Sequence, residues 1–401
     1  MKKKWWIVAG SVTAILCLLV IIFNHQQTLY SNLFAPPVKA MNTIRRVIPG
    51  GPARYLSQDG DCIVGIGDVS FQNDDSALYL YNTNGTLANI NDDTYTTIDV
   101  QDSGTICRST VLGDYVTWLQ TTEDCFTYVL KGYQISTQDS FTIHLSCYGK
   151  HYQRDGNYVV FSSANGSYVD ISCYNLSTRI NTVICSADED QLCPDIHGNI
   201  VVWEDYRNEG FGDIYMYNLV TQQETPIENN ENLYSRRPMT NGNVVVYETR
   251  YETDSSIYVY NLTTTTTTLL DDQCHLAFLW DINDSACVYT AAYDYNGVDE
   301  NSLVLGDLTN TTTQIIENYD NWAWDVVLGS YQLVYNLTDE DFIMGDVYGY
   351  DLTTHTKYTI RNQGKTHCEI NINKSSDLFI MCSIGVGQEP KEWDVSLVQL
   401  P

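Results

Sequence analysis

The amino-acid sequence predicts an all-β protein, on three observations. Aromatic residues make up 12% of the 401 positions, and 30 residues are tyrosine. Valine, isoleucine and threonine recur in short runs, and such side chains fit a pleated, half-buried surface. Clusters of Gly, Asn, Asp and Ser punctuate those runs at near-regular intervals, as turns between strands do. With 43% hydrophobic and 18% charged residues, the chain has the apolar material for one large core or two ordinary ones, which excludes an intrinsically disordered protein.

The first element is the exception to the β pattern. Lys2, Lys3 and Lys4 precede Trp5 to Phe23, 19 consecutive residues without a charge. At about 1.5 Å per residue such a run crosses a hydrocarbon core of roughly 30 Å, and the lysines place the N-terminus in the cytoplasm. Residues 1–4 are therefore expected as a cytoplasmic N-terminus, 5–23 as a single transmembrane signal anchor, 24–42 as a linker and 43–401 as a domain at the cell surface. A cleaved signal peptide is the competing reading, with Val38-Lys39-Ala40 as its site. That site lies 17 residues beyond an apolar run already longer than a signal core. Either reading makes residues 42–401 extracytoplasmic.

Twelve cysteines fit an oxidising compartment; Cys17 falls in the anchor, and the odd number left means at least one thiol is unpaired or bonded to another chain. Sequons at Asn84, Asn165, Asn175, Asn261, Asn283, Asn310, Asn336 and Asn373 are compatible with a glycoprotein.

The domain itself is a repeat. A turn followed by a short apolar run recurs as DGDCIVGIG from Asp59, LGDYVTWLQ from Leu112, DGNYVVFSS from Asp155, HGNIVVWED from His197, NGNVVVYET from Asn241, NDSACVYTA from Asn283, GSYQLVYNL from Gly329 and SSDLFIMCS from Ser375. The equivalent positions Gly65, Trp118, Phe161, Trp203, Tyr247, Tyr289, Tyr335 and Met381 are separated by 53, 43, 42, 44, 42, 46 and 46 residues. Each unit continues into a second strand ending in a turn, as in DIYMYNLVT from Asp213, SIYVYNLTT from Ser256 and DVYGYDLTT from Asp346, and then a third. Four strands per unit, A to D with the glycine turn between A and B, at a period of 40 to 50 residues, describe the antiparallel blades of a β-propeller. A sandwich or solenoid of irregular β-repeats is the alternative. The last unit lacks a D strand, and Thr43 to Ile48 is left over at the start. Pairing the two closes the ring and removes the free edge. The expectation is eight blades closed by the N-terminal strand, or seven if the 53-residue first unit is irregular.

The segment HGNIVVWEDYRNEGFGDIYMYNLVTQQETPI, His197 to Ile227, resembles the TolB-like propeller repeat of archaeal and bacterial cell-surface proteins. The resemblance extends over residues 43–401 in period and turn pattern, is close in the fourth and fifth units, and departs from the family's usual six or seven blades. It implies a propeller in an extracytoplasmic setting and little about chemistry.

Charge divides the chain's partners. Fifty acidic residues against 21 basic ones give a formal charge of −29, which repels phosphate and excludes nucleic acid. The BC loops and DA connections, which share one face of the disc, hold most of the carboxylates, whereas the opposite face is small, polar and rich in sequons. The tether enters on that neutral face, so the acidic face is expected outward, available to a protein or glycan partner of a monomeric propeller. In the fourth BC hairpin, Asp205 and Asp213 are candidate binding residues that also suit a turn-capping role. Asp294, Asn296 and Asp299 place oxygen atoms at intervals around Gly297, like part of a calcium loop without its later bidentate glutamate.

The sharp catalytic motifs are absent: there is no Gly-x-Ser-x-Gly elbow, HExxH, phosphate loop or dinucleotide fingerprint. His151 with Cys147, His275 with Cys274 and His367 with Cys368 fall in expected A strands, where convergence on the channel would ligate a transition metal. Their spacing is equally that of buried thiols and packed imidazoles. Arg236 and Arg237 open the fifth A strand and suit bidentate recognition of a carboxylate or sugar acid, or neutralisation of Glu228 and Glu231. Trp280, Trp322 and Trp324 lie in A segments, for sugar stacking or packing between blades. The sequence thus points to a binding or scaffold module without catalysis of its own. Two alternatives stay open: a cation-dependent polysaccharide lyase with a channel site, and an envelope protein bridged by calcium.

Overall fold

The computed structural model of the chain describes residues 43–47, 54–68, 76–84, 94–101, 105–122, 127–208, 211–228, 233–252, 254–294, 299–319, 323–338, 344–361, 365–373, 378–385 and 394–399. The proposed anchor, residues 5–23, lies outside them, and among the described residues no helix is long and apolar enough to cross a membrane.

Every regular element is a strand. In chain order they are β1 (Thr43–Val47), β2 (Arg54–Asp59), β3 (Cys62–Asp68), β4 (Ser76–Asn82), β5 (Thr94–Gln101), β6 (Ile106–Leu112), β7 (Tyr115–Thr121), β8 (Thr127–Gln134), β9 (Asp139–Asp155), β10 (Tyr158–Asn165), β11 (Tyr168–Asn175), β12 (Ile180–Cys185), β13 (Gln191–His197), β14 (Ile200–Asp205), β15 (Asp213–Asn218) and β16 (Gln223–Glu228). There follow β17 (Tyr234–Thr240), β18 (Val244–Tyr251), β19 (Asp254–Asn261), β20 (Thr266–Cys274), β21 (Leu276–Ile282), β22 (Ala286–Asp294), β23 (Asp299–Asp307), β24 (Thr312–Tyr319), β25 (Ala323–Leu328), β26 (Gln332–Thr338), β27 (Met344–Asp351), β28 (Thr356–Arg361), β29 (Lys365–Asn373), β30 (Leu378–Gly385) and β31 (Asp394–Gln399).

Consecutive strands form four-stranded sheets: β2 to β5, β13 to β16, β17 to β20, β21 to β24 and β25 to β28. β6 to β12 form one seven-stranded sheet, in which the 17-residue β9 pairs with β8 through its first half and with β10 through its second. The last sheet runs β29, β30, β31, β1, with Thr43 to Val47 antiparallel to Val398 to Asp394. The N-terminal strand therefore completes the C-terminal sheet, as expected. The first strands of successive sheets touch in a closed cycle, β2 to β6, β9, β13, β17, β21, β25, β29 and back to β2. Sheets arranged radially around a common axis, each presenting its first strand inward, are a β-propeller.

The short turns follow from local chemistry. Gly113 and Gly198 adopt φ of 57° in AB turns, a left-handed conformation that costs glycine little, and their N–H groups donate to Asp59 and Asp155 of the preceding unit at 2.6 and 2.5 Å. In the CD turns Asn175, Asn218, Asn261, Asp307 and Asp351 accept hydrogen bonds from N–H groups two and three residues ahead, forming Asx turns.

The apolar core lies between neighbouring sheets. Val64, Ile66, Leu78 and Leu80 of one sheet pack on Ile106, Val111, Val116 and Trp118 of the next. The aromatic residue that six of the B strands carry at the equivalent position is buried, and several of these sit at such a boundary. Trp118 on β7 donates its Nε1–H to Asp99 on β5 at 3.2 Å, Tyr289 on β22 donates to Asp271 on β20 at 2.7 Å, and Tyr335 on β26 donates to Glu317 on β24 at 3.1 Å. Phe161 has no donor and tilts instead against the His144 ring of the preceding unit, centroids 5.1 Å apart. Trp203 donates to Asp205 of its own strand, and the Cys185 thiol from the preceding unit shares that oxygen. Asp271 is thus not a solvated charge of the outer face but a buried acceptor between two sheets.

Two expectations for the surface change. Asn336 is wholly buried, and the Asn283 side-chain amide donates to the Gly329 carbonyl at 2.7 Å, so neither sequon is available to a glycan in the folded chain. The eight described cysteines, at 62, 107, 147, 173, 185, 193, 274 and 287, are free thiols. Burial pushes Cys173, Cys185, Cys193, Cys274 and Cys287 up to about 12, which leaves them unreactive at neutral pH.

Candidate functional site: the inner strands and an arginine cleft

Each inner strand carries an irregularity at the same place. Pairing slips at 54–57 in β2, 107–109 in β6, opposite Ser162 in β9, 192–195 in β13, 236–239 in β17, 279–281 in β21, 324–327 in β25 and 367–369 in β29. A bulge leaves one residue unpaired and re-aims its side chain. Four of these residues, Arg108, Cys193, Arg237 and Asp325, have φ between 47° and 51°, a costly conformation for residues with a Cβ. The N–H freed at Arg237 is satisfied by Glu204 of the preceding sheet at 2.8 Å, and Leu279 N–H by Glu248 at 2.6 Å.

The bulges bring separate units together at the axis. Burial lowers the His151 imidazole below its ordinary value although part of the ring meets solvent, and Arg108 and Arg237 depress it further. Arg108 lies over the Tyr152 ring, 5.4 Å from its centroid, and donates to Gln153 at 3.3 Å. The inner mouth is locally cationic in a strongly acidic protein.

Beside it, Arg236 and Arg237 on β17, Arg250 on β18, Phe278 on β21, Asn301 on β23 and Tyr319 on β24 line a cleft of about 140 Å³. Arg236 and Arg237 come from the start of an A strand and Arg250 from the end of a B strand, which puts the cleft on the face of the BC loops. Glu248 is the counterion: it is wholly buried and receives Arg236 Nε at 2.8 Å and Arg237 Nη1 at 3.4 Å. Burial raises its pKa, which the two guanidiniums oppose. The Arg237 guanidinium lies 3.5 Å from the Phe278 ring centroid, and Phe278 tilts against Trp280 at 4.6 Å. Cation–π contact of this kind holds a guanidinium in place without consuming all of its donors.

The expected residues fare unequally. Arg236 and Arg237 do meet in a cleft, and the described carboxylate that pairs with both is Glu248; Glu231 lies outside the described residues. Arg250, which completes the cluster, was not legible, because it enters from the neighbouring strand. Trp280 is half-buried and donates to Thr290 at 3.2 Å; Trp322 and the Trp324 side chain lie outside the described residues. Asp205 is wholly buried and spent on Arg207 at 2.6 Å and on Trp203, while Asp213 is buried and accepts from Asn208 at 2.7 Å. Both serve the hairpin. Burial raises the Asp213 pKa.

The three histidines do not form one site. Cys274 ends β20 and His275 follows it, outside any inner strand, where its Nδ1 faces Asp254 at 3.1 Å. His151 faces arginines, an environment that repels cations. The His367 side chain lies outside the described residues, and among those described no three His, Cys, Asp or Glu side chains converge in a metal-holding group. At the calcium-like loop, Asp294 and Asp299 are cross-strand neighbours at the end of β22 and β23; Asn296 and both carboxylates lie outside the described residues.

No family model matches this chain, and no curated protein matches it. Solved structures do. One described as a structural and mechanistic analysis of two prolyl endopeptidases is 10% identical with a TM-score of 0.58, covering 86% of this chain and 56% of that one. The β-propeller domain of the Trilobed protease from Pyrococcus furiosus is 9% identical with a TM-score of 0.53, covering 74% and 98%. An oligogalacturonate lyase in complex with manganese is 10% identical with a TM-score of 0.50, covering 72% and 86%. At such identities the likeness is one of fold alone. The chain is a β-propeller, the fold that its TolB-like repeats imply.

Proposed function

We propose that this chain is an eight-bladed propeller, anchored by residues 5–23 with its N-terminus in the cytoplasm. On this reading it acts at the cell surface as a monomeric binding or scaffold module for a protein or glycan partner. The pairing of β9 with β8 through its first half and with β10 through its second supports the eight-blade count, with β9 read as the outer strand of one unit and the inner strand of the next. The observation that carries the binding reading is the repeated bulge of the inner strands. It holds non-glycine residues in left-handed conformations and turns Arg108, His151 and Arg237 toward one cationic mouth. Strain retained at one place in several units suits a surface shaped for a ligand.

A cation-dependent lyase is the second reading, favoured by the likeness in fold to a manganese-bound lyase. The guanidiniums beside His151 weigh against a cation at that mouth. Calcium bridging through the Asp294 to Asp299 loop is a third.

The test offers arrayed glycans and envelope proteins to the purified full chain, beside Arg108→Ala/His151→Ala. Specific binding to an anionic partner that the double variant loses, with its fold retained, is the expected result. Equal binding by the double variant overturns the mouth as the site. Manganese-dependent cleavage of a polyuronide replaces the reading with the lyase, and binding abolished by chelation replaces it with the calcium bridge.

A further inference from the structure

The arginine cleft is short of negative charge. Arg236, Arg237 and Arg250 share a single lining space, and the counterion in contact with them, Glu248, has its oxygens engaged by Arg236, Arg237 and the Leu279 N–H. The Arg250 Nε is buried and, among the described residues, has no hydrogen-bond partner. Burial and the neighbouring Arg236 and Arg237 charges lower the Arg250 pKa, against the pull of Glu248. A chain with 21 basic residues and a charge of −29 has gathered three guanidiniums in one cleft, where Glu248 is the carboxylate paired with two of them and Glu204 holds the Arg237 N–H, and a guanidinium fork is the side chain best matched to a bound carboxylate.

The rest of the cleft describes what carries that carboxylate. Leu276, which is exposed, and Phe278 make a small apolar wall over the buried Ala277 and Ala291, with the Phe278 ring in contact with Arg237 and Trp280. Opposite chemistry comes from Asn301 and Tyr319, an amide and a hydroxyl in the same space, the hydroxyl donating a long 3.5 Å hydrogen bond to the Ser302 carbonyl. An apolar wall for the C–H face of a ring, polar groups for hydroxyls and arginines for an acid group together fit a sugar acid. We propose that this cleft between β17–β18 and β21–β24 binds the carboxylate of a uronate unit in an acidic glycan. The inference rests on the binding-module reading and names the ligand class for one site on it.

Calorimetric titration of the full chain with glucuronate, glucose, acetate and an acidic dipeptide tests it. Glucuronate binds saturably, glucose does not, and acetate is weaker because it leaves the wall and the hydroxyl partners unused. Arg250→Gln weakens glucuronate about tenfold without lowering the melting temperature, since it relieves like-charge crowding. Glucose binding as well as glucuronate, unchanged affinity in Arg250→Gln, or no uronate binding overturns the proposal. A dipeptide that outcompetes glucuronate overturns the sugar class. If glucuronate fails while a partner is still captured through Arg108 and His151, only this cleft is lost; failure of both removes the binding reading as well.

Discussion

Tyr289 donates its hydroxyl to Asp271 at 2.7 Å across the boundary between two sheets, and both side chains are buried there. Tyr293 donates to the same oxygen at 2.5 Å, and the Gln273 N–H to the other at 3.1 Å. Asp271→Ala strips two hydroxyls of their acceptor and is expected to cost about 2–4 kcal/mol, given about 1–3 kcal/mol for each buried group left unpaired. Tyr289→Phe removes one donor from a carboxylate that keeps others, at about 1 kcal/mol. Denaturant melts of the two single variants and the double one check this, and strict additivity in the cycle would show that the two residues do not act as a pair.

Glu248 is expected to favour stability at the expense of ligand affinity. Glu248→Gln leaves Arg236 and Arg237, with side chains 16% and 30% exposed, without their buried counterion, and should cost about 1–3 kcal/mol after allowance for solvent. The same change frees two guanidiniums and should tighten carboxylate binding. Thermal melting and calorimetry on one preparation read both, and a variant that binds carboxylates more weakly would contradict the charge argument.

His151 gives stability a pH slope. Burial and the Arg108 and Arg237 charges lower its pKa in the folded chain, so between the folded and unfolded values the unfolded state binds more protons. Stability is full above the unfolded value of about 6.5 and declines as pH falls toward the folded value. His151→Gln should flatten the denaturant midpoint between pH 7.5 and pH 5 relative to the parent, after the carboxylate contribution common to both is subtracted. A parallel pH profile for the two would show that His151 does not carry the slope.

Ring closure by β1 predicts a sharp effect of truncation. A chain beginning after residue 48 loses the pairing of Thr43 to Val47 with β31 and exposes a sheet edge. About 3–6 kcal/mol is at stake, from a handful of backbone hydrogen bonds at about 1 kcal/mol each. A chain beginning at residue 42 should melt like the parent and the shorter one should melt lower and self-associate in sedimentation. Identical melts would mean that the closing strand contributes nothing.

Sequon use should follow burial. After expression in a glycosylating host, peptide mapping is expected to find Asn283 and Asn336 unmodified, while Asn175 and Asn261, in CD turns, remain accessible. Full occupancy at Asn336 would place that strand at the surface.

The repeat, the four-strand unit, the closing N-terminal strand and the position of the boundary aromatics were all legible in the chain, because period and turn chemistry are local and each unit states them again. Trp118, Tyr289 and Tyr335 could be aligned by counting alone. What they bond could not: Asp99, Asp271 and Glu317 belong to the preceding unit, and their partnership depends on how sheets pack around the axis. The same reason hid Arg250 from Arg236 and Arg237, moved His275 out of the inner strand, and turned Asp205 from a candidate binding residue into a buried acceptor. A sequence of this kind determines which residues face a neighbouring sheet, since alternation along a strand is a property of the backbone. Only the tertiary structure decides which neighbour they meet, because charge and hydrogen bonding between units are set by distances across the ring that no spacing along the chain encodes.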